Sequence, residues 1–157
     1  MQTLLIYASR SGNTRIVADA IAEPLQRRGT VEVVPVESAP ALIPDGTDLL
    51  ILGGPTEGHG MSEPMKAYVD RLEPESVRDL ACAVFDTRLD WPRWLSGSAA
   101  DRLSDALRER GARVIAREES FIVTMEPALE PGEEERARDW GDRLASLVAP
   151  TGAATGT

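Results

Sequence analysis

Three short stretches of this chain are apolar almost without a break: LLIYA at residues 4–8, LLILGG at 49–54 and ACAVF at 81–85. A strand with one wet face alternates apolar and polar side chains, whereas a strand covered on both faces reads as a continuous apolar run. These runs are therefore predicted to be parallel strands buried under helices on both sides. VEVVPVE at 31–37 is a further strand, placed at an edge by Pro35, which has no N–H to donate to a neighbour. ARVIA begins a fifth strand, and SFIV extends or follows it.

Helical spacing fills the gaps. In residues 14–28, Val17, Ile21 and Leu25 share a face, with Ile16 and Ala20 beside it; Pro24 is expected to kink or end this helix, and Gly29 to stop it. Ser62 is a predicted N-cap, Pro64 suits a first turn, and Met65, Val69 and Leu72 face inward. Residues 98–110 form a helix with Leu103 and Leu107 inward, closed by Gly111. A last helix opens on Glu133, Glu134 and Glu135, which suit the positive end of the helix dipole, and places Trp140, Leu144 and Leu147 inward. The alternation predicts an α/β domain over residues 1–148, a doubly wound five-stranded parallel sheet with helices on both faces; the Ala/Thr/Gly-rich residues 149–157 are expected to be a disordered tail.

Composition narrows the function. The net charge is −9, the wrong sign for binding nucleic-acid phosphates, so no nucleic-acid partner is expected. No apolar run is long enough to cross a bilayer and no leader pattern is visible, so a cytoplasmic protein without membrane contact is expected. One cysteine, Cys82, and one histidine, His59, cannot make a disulfide within the chain or a structural zinc site; no metal is predicted, and Cys82 reads as a buried small hydrophobe.

In sheets of this kind the ligand site lies beyond the carboxyl ends of the strands. Three unusual segments leave those ends: SRSGNT after the first strand, GGPTEGHGMS after the third and DTRLDWPRWLSGS after the fourth. In the first, Ser9, Arg10, Ser11, Gly12, Asn13 and Thr14 put hydroxyls and a flexible turn at a helix N-terminus, where free N–H groups and the helix dipole favour an anion. The GxxxxGK[ST] loop of nucleoside triphosphatases is absent. The set suits a monophosphate held by neutral donors, and a well-capped helix is the alternative.

SRSGNT resembles the phosphate loop of flavodoxins, with Ser9, Ser11, Gly12 and Thr14 on the family pattern, and GGPTEGHGMSEPM resembles the loop that flanks the flavin in flavodoxins and flavodoxin-like quinone reductases. The resemblance spans roughly residues 3–148. It implies a flavodoxin-like fold, FMN as cofactor and redox activity. By that resemblance, Pro55, Thr56, Glu57, Gly58, His59 and Gly60 lie along the flavin ring, with His59 standing where many flavodoxins stack an aromatic. Asp86, Thr87 and Arg88 sit where flavodoxins contact the pyrimidine edge, and Trp91 or Trp94 would cover the second ring face in place of the usual tyrosine. Ser96, Gly97 and Ser98 add N–H donors nearby or form an ordinary N-cap. Arg88 and Arg93 would favour an anionic reduced ring against Asp86, Asp90 and Glu57, which predicts a potential less negative than is typical.

No side chain reads as a general base or nucleophile, so the chemistry belongs to the cofactor. The expected function is electron transfer between protein partners, the acidic surface suiting basic ones. The alternative is an NAD(P)H-dependent oxidoreductase, quinone reductase or protoporphyrinogen oxidase-like, acting on a small-molecule acceptor. A signalling receiver would need acidic residues where Ser9, Arg10 and Gly53 stand. A flavin-free interaction module is the last reading considered.

Overall fold

The computed structural model describes residues 1–58, 60–92, 97–125 and 128–148. Strands β1 (Gln2–Tyr7), β2 (Thr30–Pro35), β3 (Leu49–Glu57) and β5 (Ala81–Leu89) lie in the order β2-β1-β3-β5, all parallel. The fifth position is a strand in two pieces. β6 (Arg113–Val114) pairs with Ala81 and Cys82, and β7 (Glu119–Val123) pairs with residues 85–89 of the same strand. β4 (Gly60–Met61) folds back antiparallel on the end of β3. Edge strand β2 carries Pro35, as its missing N–H requires.

Helix α1 (Asn13–Gln26) and helix α5 (Glu133–Leu147) cover one face; α2 (Glu63–Arg71), the short α3 (Pro74–Val77) and α4 (Ala99–Glu109) belong to the other. The strand period of two divides the core. Leu4, Ile6, Cys82 and Val84 face the α2–α4 layer, while Leu5, Tyr7, Ala83 and Phe85 face α1 and α5. On the second side Phe85, Phe121 and Trp140 meet edge to face with centroids 6.0–6.2 Å apart. Phe85 lies over Gly53, where a Cβ would stand 2.1 Å from the ring. Gly141 does the same for the helix pair: a Cβ there would fall 2.2 Å from the carbonyl oxygen of Ile21.

Two details depart from the sequence reading. Pro24 does not stop α1 at once: the helix runs two residues further, to Gln26, before Arg27 caps it. The missing N–H of Pro24 removes the bond it would give the carbonyl four residues earlier, and the helix ends within the same turn. Leu147 is 55% exposed rather than inward. The buried stripe of α5 runs through Ala137, Trp140, Gly141, Leu144 and Ala145, and its next position by helical spacing is Val148, which is buried.

α5 is clamped to the sheet by charge. Arg136 donates to Glu119 at 2.6 Å, to both oxygens of Glu133 and to the carbonyl of Ser120, and lies over the Phe121 ring. Glu133 accepts from Ile122 N at 2.7 Å. The Arg136 guanidinium holds the Glu133 carboxyl below its ordinary 4.5.

Two predictions follow from this packing. Gly53→Ala forces the Phe85 ring aside and should lower unfolding free energy by about 1–3 kcal/mol in urea titration, as overpacking does. A carboxyl with a depressed folded pKa stabilises above its unfolded value and loses that contribution as pH falls through the folded one. Glu133→Gln should therefore be less stable than wild type at pH 7, with the gap closing as the pH drops below about 4.5; melting temperatures at pH 7 and pH 3 check this.

Candidate functional site

The three segments singled out from sequence do converge at the carboxyl edge of the sheet, and hydrogen bonds join them. Gly12 takes a left-handed φ of 91°, which turns the first loop into α1, and open space lies where its Cβ would be. Ser9 Oγ accepts from Gly12 N at 3.0 Å, and Asn13 Nδ2 donates to Ser11 Oγ at 3.2 Å. The first intrahelical bond runs from Ile16 N to Gly12 O, so the N–H groups of Asn13, Thr14 and Arg15 precede the ladder and need acceptors from elsewhere.

The first turn of α1 carries no acidic residue, whereas α2, α3, α4 and α5 place Glu63, Glu75, Asp101 and Glu133–Glu135 there. A side-chain carboxylate is the ordinary way to answer a helix N-terminus. α1 leaves that position to neutral hydroxyls, an open glycine turn and free N–H groups, a donor set that fits a phosphate monoester.

The second segment is more regular than expected. β3 continues through Pro55, Thr56 and Glu57, and Gly58, at φ 53°, turns the chain back so that Glu57 pairs with Gly60. The third begins as strand too, since Thr87, Arg88 and Leu89 pair with β7. Asp86, fully buried in β5, joins the two: its Oδ2 accepts from Thr56 Oγ1 at 3.1 Å, Ser98 Oγ at 2.7 Å and Ala100 N at 3.1 Å. Thr56 Oγ1 also accepts from Ala99 N at 2.9 Å. Ser98 caps α4 by accepting from Asp101 N, which makes the N-cap reading of that residue correct.

The remaining predicted residues fall as follows. Arg10 reaches Glu57 at 3.4 Å, an exposed pair joining the first and second loops. Thr14 and Thr87 are 2% and 4% exposed and share a hydrogen bond of 3.0 Å between their hydroxyls. Arg88 Nη1 donates to Trp91 O at 2.7 Å and so pins the start of the loop after β5. The Trp91 side chain is 45% exposed. The expectations at His59, Arg93, Trp94 and Ser96 lie outside the described residues, as does the tail. A cleft of about 250 Å³ lies beside the first two loops, lined by Ser9, Arg10, Glu57, Glu37, Ser62 and Glu63 among others. Among the described residues no cluster fit to hold a metal occurs, and no helix is long and apolar enough to cross a membrane.

Sequence reading missed the Asp86 network because its members are 30, 12 and 14 residues from Asp86 along the chain. The one local signal was an aspartate continuing a fully apolar strand, at a position whose neighbours on either side are buried.

Comparison with known proteins identifies the family and the fold. A family model described as a flavodoxin domain matches residues 4–90. A protein of Thermosynechococcus vestitus named as a diflavin flavoprotein is 34% identical over 113 residues, which cover 68% of this chain but 18% of that protein, so the chain spans under a fifth of this relative's length. Flavodoxin 1 from Bacillus cereus superposes with a TM-score of 0.80 at 27% identity, over 95% of this chain and 100% of that one. The Flv1 flavodiiron core from Synechocystis sp. PCC6803 shares the fold, with a TM-score of 0.72 at 23% identity over 94% of this chain and 36% of that one. With the family match spanning more than half of its residues, the chain belongs to the flavodoxin domain family and is an FMN-binding flavoprotein.

Proposed function

We propose that this domain carries electrons between protein partners, with FMN held across the three loops. The observation that supports this best is the N-terminus of α1, the helix whose first turn lacks an acid and whose loop offers free N–H groups and hydroxyls. In this reading Ser9, Ser11, Thr14 and the backbone of residues 12–15 hold the phosphate, with Arg10 at its rim. Pro55, Thr56, Glu57, Gly58 and Gly60 line one side of the ring and Trp91 the other, with His59 and Trp94 retained as candidates. Asp86 acts at one remove, by fixing Thr56 against α4. FMN supplies the capacity to take up and release one or two electrons; the protein supplies binding, orientation and field.

The acidic surface supports a cationic partner over an uncharged one. Glu37, Glu57 and Glu63 line the cleft beside the first two loops, in a chain of net charge −9. Such fields raise association rates with oppositely charged proteins and are screened by salt.

Four outcomes are expected. Titration of FMN with apoprotein should quench flavin fluorescence stoichiometrically; undiminished fluorescence with a folded protein would sink the reading. The photoreduced protein should reduce a cationic haem protein at a rate that falls several-fold between 20 and 200 mM salt (roughly, from screening over a Debye length of about 10 Å at 0.1 M). The protein alone should not oxidise NAD(P)H with a quinone, and turnover in that assay would favour the enzyme alternative. Finally, Asp86→Ala leaves two hydroxyls and an N–H without their acceptor. It should cost about 2–4 kcal/mol of stability by urea unfolding and weaken FMN at least about tenfold in the same titration.

A further inference from the structure

Thr87 stands on the face of β5 opposite to Asp86. Phe85, two residues earlier, points into the α1–α5 layer, and Thr87 follows it there, beside Phe121 of β7 in register. Its hydroxyl meets Thr14, the second residue of α1, at 3.0 Å, and both residues are buried. The family resemblance puts Thr87 near the ring edge; in the structure its hydroxyl lies against Thr14, in the loop that fits a phosphate.

The direction of this hydrogen bond matters. Each hydroxyl has one proton and can accept as well as donate. If Thr14 donates to Thr87, the Thr87 proton is left buried, with no acceptor for it among the described residues. If Thr87 donates to Thr14, the proton of Thr14 is free to turn toward the helix N-terminus, where the other donors of the loop converge. The second arrangement leaves no donor unmet once an anion is present, and a buried unmet donor is costly.

We infer that Thr87 is a positioning residue for the cofactor phosphate: it donates to Thr14 Oγ1 and so commits the Thr14 hydroxyl to the phosphate as a donor. The assignment rests on the FMN reading above and concerns discrimination between a phosphorylated flavin and its dephosphorylated form. It distinguishes Thr87 from a residue that merely fills space between α1 and β5, because only the hydroxyl matters and only phosphate feels it.

The test is paired fluorescence titration with FMN and with riboflavin of wild type, Thr87→Val, Thr87→Ser, Thr14→Val and the double variant T14V/T87V, with ³¹P NMR of bound FMN. Thr87→Val should weaken FMN about two- to tenfold, the scale of the one neutral hydrogen bond that orients Thr14, and riboflavin less than about twofold. Thr87→Ser should restore the ratio, and T14V/T87V should be no worse than Thr14→Val, since the two residues act as a unit. The ³¹P resonance should move in Thr87→Val while the visible flavin spectrum stays. If Thr87→Val does not fold, Thr87→Ala takes its place. Equal loss of both flavins, no loss of either, or a changed ring spectrum with an unmoved ³¹P resonance overturns the assignment and leaves the cofactor reading standing. Wild type that binds neither flavin overturns both.

Discussion

One oxygen atom ties the functional edge together. Oδ2 of Asp86 accepts from the second loop through half-buried Thr56, from the cap of α4 through Ser98 and from the backbone of that helix at Ala100, all at 2.7–3.1 Å. A buried polar group without partners costs free energy, so a carboxyl at the end of an otherwise apolar strand holds its neighbours in place by needing them. The requirement is mutual: the Thr56 and Ser98 hydroxyls and the Ala100 N–H would lose an acceptor that no apolar side chain replaces. The second loop is therefore an extension of β3 and not a free segment, and its glycine turn begins from a fixed base.

The three links between the segments differ in strength by burial. The Asp86 network is centred on a fully buried carboxylate, with only Thr56 half-buried. The Thr14–Thr87 bond is neutral and buried, worth about 0.5–1.5 kcal/mol as such bonds go. Arg10 and Glu57 approach only to 3.4 Å, with the arginine side chain 83% exposed, and a pair of that kind adds close to nothing to stability. Rigidity is thus concentrated on the strand ends, Thr56, Asp86 and Thr87, while the rim is held loosely. A binding site gains precision from groups locked by their own packing, and here that locking comes from β5, a central strand that touches both helical layers and carries Asp86 and Thr87.

Most of the fold was legible because its signal is local. Continuous apolar runs marked β1, β3 and β5, Pro35 marked the edge, and the four-residue spacing of Val17, Ile21 and Leu25 marked α1. The fifth strand was legible in outline, with ARVIA read as its start and SFIV as its extension or sequel; the structure pairs it as RV and ESFIV, with residues 115–118 between them. The site was legible by residue and not by role. Ser9 to Thr14, Thr56, Asp86 and Thr87 all lie where the three segments meet, yet nothing near Thr87 in sequence says that its partner is Thr14, 73 residues earlier. Strand parity carries that information: residues one apart on β5 face opposite layers, so Asp86 meets the second loop and Thr87 the first. Arg88 likewise reads as a free cation until the structure places Trp91 O against it.

That parity gives the site its division of labour. The even-numbered side of β5 fixes the loop proposed to lie along the ring, and the odd-numbered side reaches under the loop proposed to hold the phosphate. On that proposal a single strand sets the spacing of the two loops, and a shift of register by one residue would exchange the two faces. Such a shift is resisted where it would matter most. Phe85 is locked over Gly53 and against Phe121 and Trp140, so the residue immediately before the Asp86–Thr87 pair cannot turn over without dismantling the aromatic core of the α1–α5 layer. The packing that stabilises the fold is in this way also what sets the spacing of the site.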